Sequence, residues 1–228
     1  RELASLIPDN SVDLVLTDPP FGIDFQYSNG YIDSRSEYMK LMQWLEKDIN
    51  RVLKDGGMAF VFQSMSRLQE VWVNVFPYAR IFSAAKNFVQ VGRPDEPYYF
   101  GVPFAFDPVL FWRKGKATKT SGRDWHVART NNSGIEKPDF HDCPRPLDTI
   151  IFMVETFCPV DGLVLDYFMG SGTAAKAAKM TDRNFLGFEV MADTAEKARE
   201  RVAKVNPLRL NAAQQSVQRT GGESGQQS

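Results

Sequence analysis

The sequence predicts an α/β chain: a doubly wound, mostly parallel sheet with helices on both faces. Two observations lead there. Short apolar runs with little alternation, as expected of strands covered on both sides, recur between segments whose apolar residues fall three and four apart. Three of those runs also end in acid or glycine chemistry, at Asp18, Asp166 and Glu189, where open sheets of this kind keep their ligand crevice. The 228 residues suit one large domain, and 43% hydrophobic against 24% charged residues is enough to build a core.

Val12 to Thr17 is apolar and β-branched, and Asp18-Pro19-Pro20 ends it because proline has no N–H for a ladder. After a Gly/Asn/Tyr-rich loop to about Asp33, Ser34-x-x-Glu37 reads as a capping box. The helix it opens carries a stripe of Tyr38, Leu41, Met42, Leu45, Ile49 and Val52, and Asp55-Gly56-Gly57 stops it. Met58 to Phe62 is a second buried strand, followed by a short helix near 66–75 and a strand over 81–91. Residues 92–107 read as irregular, and Val109 to Trp112 as a short strand. A polar, basic stretch without a clear period runs to about Lys137, and Pro146 to Phe157 is helical. The remaining elements are a strand over Leu163–Asp166, a helix over Thr173–Met180, a strand over Phe185–Glu189 and a helix over Asp193–Val205. Beyond Pro207 the composition turns to Gln, Ser, Gly and Asn, which predicts a disordered tail over 207–228.

Composition excludes several classes. Lys and Arg number 27 against 28 Asp and Glu, so the chain does not coat nucleic acid by bulk charge, although a local basic face is compatible with that balance. No apolar run approaches the roughly 20 residues of a membrane-spanning helix, so no membrane partner is expected. Cys143 and Cys158 are too few for a disulfide scaffold or a four-ligand zinc site, which makes a reducing cytoplasm the default and leaves no expected metal.

Asp166-Tyr167-Phe168-Met169-Gly170-Ser171-Gly172-Thr173 lies between a strand and a helix. Glycines there let the backbone approach a ligand, and the helix N-terminus offers unpaired N–H groups. A tight turn with no ligand has the same signature. Glu189, at the end of the next strand, stands where an acid accepts hydrogen bonds from the two ribose hydroxyls of a nucleoside cofactor. Ala175 takes the place of the third glycine of a dinucleotide fingerprint, and the Lys-Ser/Thr of a P-loop is missing. A cofactor with one nucleoside and a small zwitterionic end, such as S-adenosylmethionine, fits better than NAD or ATP. In Asp18-Pro19-Pro20-Phe21, a carboxylate beside an outward carbonyl makes an acceptor pair for the two hydrogens of an exocyclic amine. An adjacent aromatic ring is placed to stack on a planar base.

These residues resemble the β-class amino-group DNA methyltransferases, in which the catalytic motif precedes the cofactor motif in a circularly permuted, Rossmann-like class I methyltransferase fold. Asp18-Pro19-Pro20-Phe21 is similar to their catalytic motif, 166–173 to their cofactor motif, and His141-Asp142-Cys143-Pro144-Arg145-Pro146 to the His-Pro-Thr-Gln-Lys-Pro segment ahead of the cofactor strand. Tyr167 departs from the usual proline, Arg145 from a lysine and Ala174 from a common threonine. The resemblance implies a methyltransferase domain over 1–206, with Asp18 and the Pro19 carbonyl accepting from the target amine, Pro20 shaping the turn and Phe21 stacking on the base. It further implies that Asp166, Phe168, Gly170, Ser171, Gly172 and Thr173 cradle S-adenosyl-L-methionine while Glu189 holds its ribose. Methyl transfer would be direct, onto a base flipped out of double-stranded DNA. The expected setting is a bacterial or phage-encoded restriction–modification system with a cognate endonuclease, the enzyme being a monomer or homodimer. The resemblance also implies an edge strand ahead of Arg1, whose acid contacts the adenine, so that the chain as it begins here would bind the cofactor weakly.

Residues 92–140 would then be the target-recognition insertion. Between 112 and 129 the six basic residues Arg113, Lys114, Lys116, Lys119, Arg123 and Arg129 face one acid, Asp124, with Trp112, Trp125 and His126 interleaved. Arg113, Lys114, Lys116, Lys119, Arg123 and Trp125 are the expected DNA contacts, a solvated loop being the plain alternative. Adenine N6 is the expected target because Asp rather than Ser opens the motif. Cytosine N4, the same chemistry on RNA or a protein glutamine, and a non-enzymatic DNA-binding module retaining the fold stay open as alternatives.

Overall fold

The computed structural model describes residues 2–24, 33–90, 104–116, 122–128 and 145–206. After a single 3₁₀ turn over Leu3–Leu6, the elements are β1 Val12–Thr17, α1 Arg35–Val52, β2 Leu53–Phe62, α2 Leu68–Asn74, β3 Arg80–Gln90, β4 Phe104–Arg113, β5 Trp125–Val127, α3 Leu147–Phe157, β6 Leu163–Asp166, α4 Thr173–Met180, β7 Asn184–Gly187 and α5 Ala192–Ala203. The strands form one sheet in the order β5-β3-β4-β2-β1-β6-β7. Pairs β1–β2, β1–β6, β6–β7 and β3–β5 are parallel, and β4 runs antiparallel to both β2 and β3.

Two apolar layers flank the sheet. On one face Tyr38, Met42, Leu45, Ile49 and Val52 of α1 and Val71 of α2 pack on Val15, Ala59, Val61 and Leu110. On the other, Ile150, Met153 and Val154 of α3 and Ala174, Ala177 and Ala178 of α4 cover Leu14, Leu16, Phe60, Phe62 and Val109. β1 supplies both layers because successive side chains alternate across a strand, Val15 to the α1 side and Leu14 and Leu16 to the other; Val12 joins the α1 side where the pairing with β2 shifts register between Val12 and Leu14. The periodicity assigned to α1 therefore holds, with Leu41 half-buried and the rest of its stripe buried. The capping box differs from expectation: Ser34 occupies the N-cap position but makes no capping bond through its side chain.

Two further differences concern the segment expected to be an insertion. Residues 104–107, read as irregular, begin β4, and Trp125–Val127 form an edge strand, β5, paired with Ser83–Ala85. Both belong to the central sheet. The tail over 207–228 and the stretches 92–103 and 129–140 lie outside the described residues.

Chain order turns round at β1. The chain leaves β1 toward β2 on one side and returns to β6 on the other, so a topological switch point lies between β1 and β6. In open parallel sheets the crevice at the carboxyl tips of such a pair is where ligands bind. Tyr167, placed just past the tip of β6, is buried and donates its hydroxyl to Asp48 Oδ2 of α1 at 2.7 Å, with its ring edge-on to Trp44 at 5.6 Å. The residue that departs from proline thus bolts the strand tip to the helix layer. Tyr167→Phe is expected to cost about 1 kcal/mol, the net value of one such bond. Urea denaturation checks this, and an unchanged midpoint contradicts the anchoring role.

Candidate active site

The two motifs stand side by side at the tips of the paired strands β1 and β6. Thr17, the last residue of β1, donates Oγ1–H to Asp166 Oδ1 at 2.8 Å and accepts the Tyr167 N–H at 3.1 Å. Asp166 Oδ1 also accepts the Phe168 N–H at 3.0 Å. One hydroxyl and one carboxylate therefore lock the two strand tips in register, with Asp18 as the next residue on one side and the glycine turn on the other.

The Asp18-Pro19-Pro20-Phe21-Gly22 turn is held from several directions. The Phe21 N–H donates to Asp33 Oδ2 at 3.0 Å, and Arg67 donates to the Gly22 carbonyl at 3.3 Å. Gly22 has φ +61°, and a Cβ there would stand 2.5 Å from the Tyr38 Cβ. Only glycine fits that close approach to α1. Pro19 is buried, while Asp18, Pro20 and Phe21 are half-buried. The Asp18 carboxylate receives a two-pronged contact from Arg145, Nε to Oδ2 at 2.6 Å and Nη2 to Oδ1 at 2.9 Å. Arg145 also reaches Asp107 Oδ2 of β4 through Nη1 at 2.9 Å, and its guanidinium carbon lies 4.8 Å from the Phe62 ring centre and 5.6 Å from that of Phe21. Asp107 and the clamp role of Arg145 were missed from sequence. The run around Asp107 carried no strand signal, and Arg145 showed only as a substitution in a motif.

The glycine turn follows β6. Gly170 and Gly172 have φ of +48° and +76°, and Gly172 is the N-cap of α4, with α5 close behind: a Cβ on it would meet Ala198 at 3.3 Å. Glu189 accepts the Gly170 N–H on Oε2 at 3.0 Å and the Met191 N–H on Oε1 at 2.9 Å. Each carboxylate oxygen has a second lone pair, so this half-buried acid can take further donors. Ser171 and Thr173 differ from expectation. Their side chains are buried, and Arg201 donates to the Ser171 carbonyl at 2.9 Å and lies 3.4 Å from both hydroxyls. What these positions offer a ligand is therefore backbone. Asp166 likewise points inward and supports the turn. Phe168 is half-buried against the α1-side layer.

The expected DNA contacts separate. Arg113 donates to the Gly56 carbonyl at 2.7 Å, and Lys114 to Asn10 Oδ1 at 2.7 Å and the Leu53 carbonyl at 2.8 Å. Arg113 pairs with Met58, which pairs with Leu14, so this end of β4 lies beside the start of β1. Arg113, Lys114 and the adjacent exposed Lys116 thus sit at the amino end of the sheet, a strand's length from Asp18. Arg123 and Trp125 are elsewhere. Trp125 pairs with Ser83, which pairs with Pro108 next to Asp107, and Arg123 stacks on the exposed Trp125 ring at 4.3 Å. His126 is buried against Thr149 at 3.1 Å and Phe152, a packing role. Lys119, Arg129 and His141–Pro144 lie outside the described residues.

Comparison with known proteins gives the family and the fold. The family model described as DNA methylase, for N6 and N4 methyltransferases, matches residues 12–200. The chain belongs to this family. The type II methyltransferase M1.MboII of Moraxella bovis is 23% identical, the match covering 84% of this chain and 89% of that protein. M.BglII of Bacillus subtilis is 29% identical over 81% of this chain and 61% of its own. Among solved structures, the cytosine-N4-specific PvuII DNA methyltransferase superposes with a TM-score of 0.68 at 17% identity, covering 95% of this chain and 87% of that one. M1.HpyAVI, solved as a complex with SAM, does so with a TM-score of 0.64 at 22% identity, covering 84% and 89%. The likeness to these two structures is one of fold, and the resemblance of the sequence motifs is borne out at the level of family and fold.

Asp166 has a measurable signature. Burial pushes its carboxyl up to about 7, the neighbouring Asp18 and Glu189 push the same way, and the Phe168 N–H and Thr17 hydroxyl pull it down. The folded state therefore holds its proton more tightly than the unfolded chain, where the value is about 4. That stabilisation is complete below about pH 4 and is lost as pH rises to about 7. Asp166→Asn, which cannot ionise, should gain ~2–4 kcal/mol relative to the natural protein between those limits. Unfolding free energies at pH 4 to 8 check this, and a flat difference contradicts it.

Proposed function

We propose that this chain transfers a methyl group from S-adenosyl-L-methionine to the exocyclic amine of a base flipped out of double-stranded DNA, adenine N6 in preference to cytosine N4. The observation that supports it most is the fixed corner at the tip of β1. Asp18 and the glycine turn follow adjoining strand tips, tied by the bonds Thr17 makes to Asp166 and Tyr167. The residues suit this cofactor. The positive-φ glycines would let backbone come close to the methionine end, the α4 N-terminus would offer N–H groups to its carboxylate, and Glu189 keeps acceptor capacity for the ribose. When bound, the cofactor supplies an electrophilic methyl on a sulfonium.

The chain's own part is orientation and charge. Asp18 accepts one amine hydrogen and the Pro19 carbonyl the other, which aims the nitrogen lone pair and enriches it in electron density. Positive charge developing on that nitrogen faces a carboxylate already fixed in place, which costs no reorganisation at the moment of reaction. Phe21 stacks on the base. No covalent enzyme intermediate is involved, and burial pushes the Cys158 thiol up to about 12, well out of the nucleophilic range. Arg123 and Trp125 form the DNA-facing cation and ring pair on the edge strand.

Cytosine N4 presents the same pair of hydrogens, so the acceptor corner serves both bases, and the preference for adenine rests on Asp rather than Ser at position 18. Incubation with methyl-labelled cofactor and unmethylated duplex DNA, followed by digestion to nucleosides, is expected to yield N6-methyladenine. Asp18→Ala should lower transfer by about a thousandfold or more while cofactor affinity stays within about twofold. N4-methylcytosine as product overturns the base assignment, and transfer retained by Asp18→Ala overturns the mechanism.

A further inference from the structure

The Asp18 carboxylate meets a full cation before it meets any substrate. Arg145 grips both of its oxygens, at 2.6 and 2.9 Å, in the fork geometry that lysine cannot supply. Taken alone, this contact works against an amine acceptor. A guanidinium at hydrogen-bond distance neutralises the carboxylate and opposes the positive charge that builds on the attacking nitrogen.

The third arm of the guanidinium resolves the conflict. Nη1 donates to Asp107 Oδ2 at 2.9 Å, so one cation is shared by two carboxylates, and these three groups together carry a formal charge of −1. The side chains of Arg145, Asp18 and Asp107 are only 17%, 27% and 20% exposed, and solvent screens such charges less than it does at the open surface. The guanidinium is also held from moving by two rings, Phe62 and Phe21, the second belonging to the Asp18 turn itself.

We propose that Asp107 and Arg145 are positioning residues for methyl transfer: Arg145 sets the plane of the Asp18 carboxylate, and Asp107 draws off enough of the guanidinium's charge for Asp18 to remain a strong acceptor. Each oxygen of Asp18 that takes an Arg145 proton keeps a further lone pair, so the amine binds to the clamped carboxylate without displacing the clamp. The inference rests on the reading of Asp18 as the amine acceptor. It assigns a part in the reaction to a residue of β4, an element remote in sequence from both motifs.

The test measures kcat and both KM values on unmethylated duplex DNA with methyl-labelled S-adenosyl-L-methionine, for the full chain and for Asp107→Asn, Arg145→Lys, Arg145→Gln and Asp18→Ala. Asp107→Asn keeps shape and hydrogen-bonding capacity, and thermal melting verifies that it folds. It is expected to lower kcat about tenfold with the cofactor KM within about twofold, the pattern of a group that acts only in the transition state. Arg145→Gln should lose about a hundredfold in kcat through misplacement of Asp18, and Arg145→Lys should recover part of that loss by restoring the charge without the fork. If Asp18→Ala abolishes transfer while Asp107→Asn and Arg145→Gln keep kcat within about twofold of the natural protein, the positioning role is wrong and the acceptor reading stands. Losses confined to the cofactor KM likewise overturn it. Transfer retained by Asp18→Ala removes the acceptor reading and this inference together.

Discussion

The site depends on a single hydroxyl between two strand tips. Thr17 Oγ1 donates to Asp166 and accepts from the Tyr167 backbone, and both bonds cross from β1 to β6 where the ladder between them has ended. Strands that part at a topological switch point have no further backbone pairing to keep their tips in step. The threonine supplies it. Its cost is a carboxylate buried at the tip of β6, and the raised proton affinity of Asp166 is the physical mark of that choice. The segments on either side inherit the alignment: two prolines that cannot bend back into the sheet, and a buried glycine turn held by Glu189 and backed by α5.

Around that tie the protein balances charge rather than maximising it. Asp18, Asp166 and Glu189 stand at or just past the tips of β1, β6 and β7 and Asp107 lies within β4, with Arg145 between two of these carboxylates and backbone N–H groups on the others. An ion pair this close stabilises folding only modestly once desolvation is counted. Its use here is geometric, since a bidentate clamp removes rotational freedom from the carboxylate and leaves lone pairs for a substrate. The two aromatic rings beside Arg145 extend the same logic, because Phe21 is carried by the turn that carries Asp18.

The sequence made the local chemistry legible and the long-range geometry largely invisible. Asp18-Pro19-Pro20 and the 166–173 turn could be read because strand, stop and glycine signals succeed each other within a few residues. The α1 stripe could be read because helix burial repeats within the helix. Strand β5 could not, since three residues in a polar stretch carry no period and its partner β3 lies some forty residues upstream. The same holds for Arg113 and Lys114. Their charge was plain, but only the antiparallel register of β4 shows that they serve the carbonyls at the amino end of the sheet, away from the crevice. Ser171 and Thr173 were recognised by type and differ in direction, because the helix that claims them, α5, comes later in the chain. Asp107 belongs to the same class: an ordinary acid in sequence, given a partner only by the fold.

The most direct test of the account is a crystal structure of the protein with S-adenosyl-L-methionine bound. The sulfonium methyl should face Asp18 across the β1–β6 crevice, leaving room for one amine nitrogen about 3 Å from the carboxylate and about 3–3.5 Å from the methyl carbon. A methyl turned away from Asp18, or a cofactor seated anywhere other than against the 166–173 turn, would contradict it.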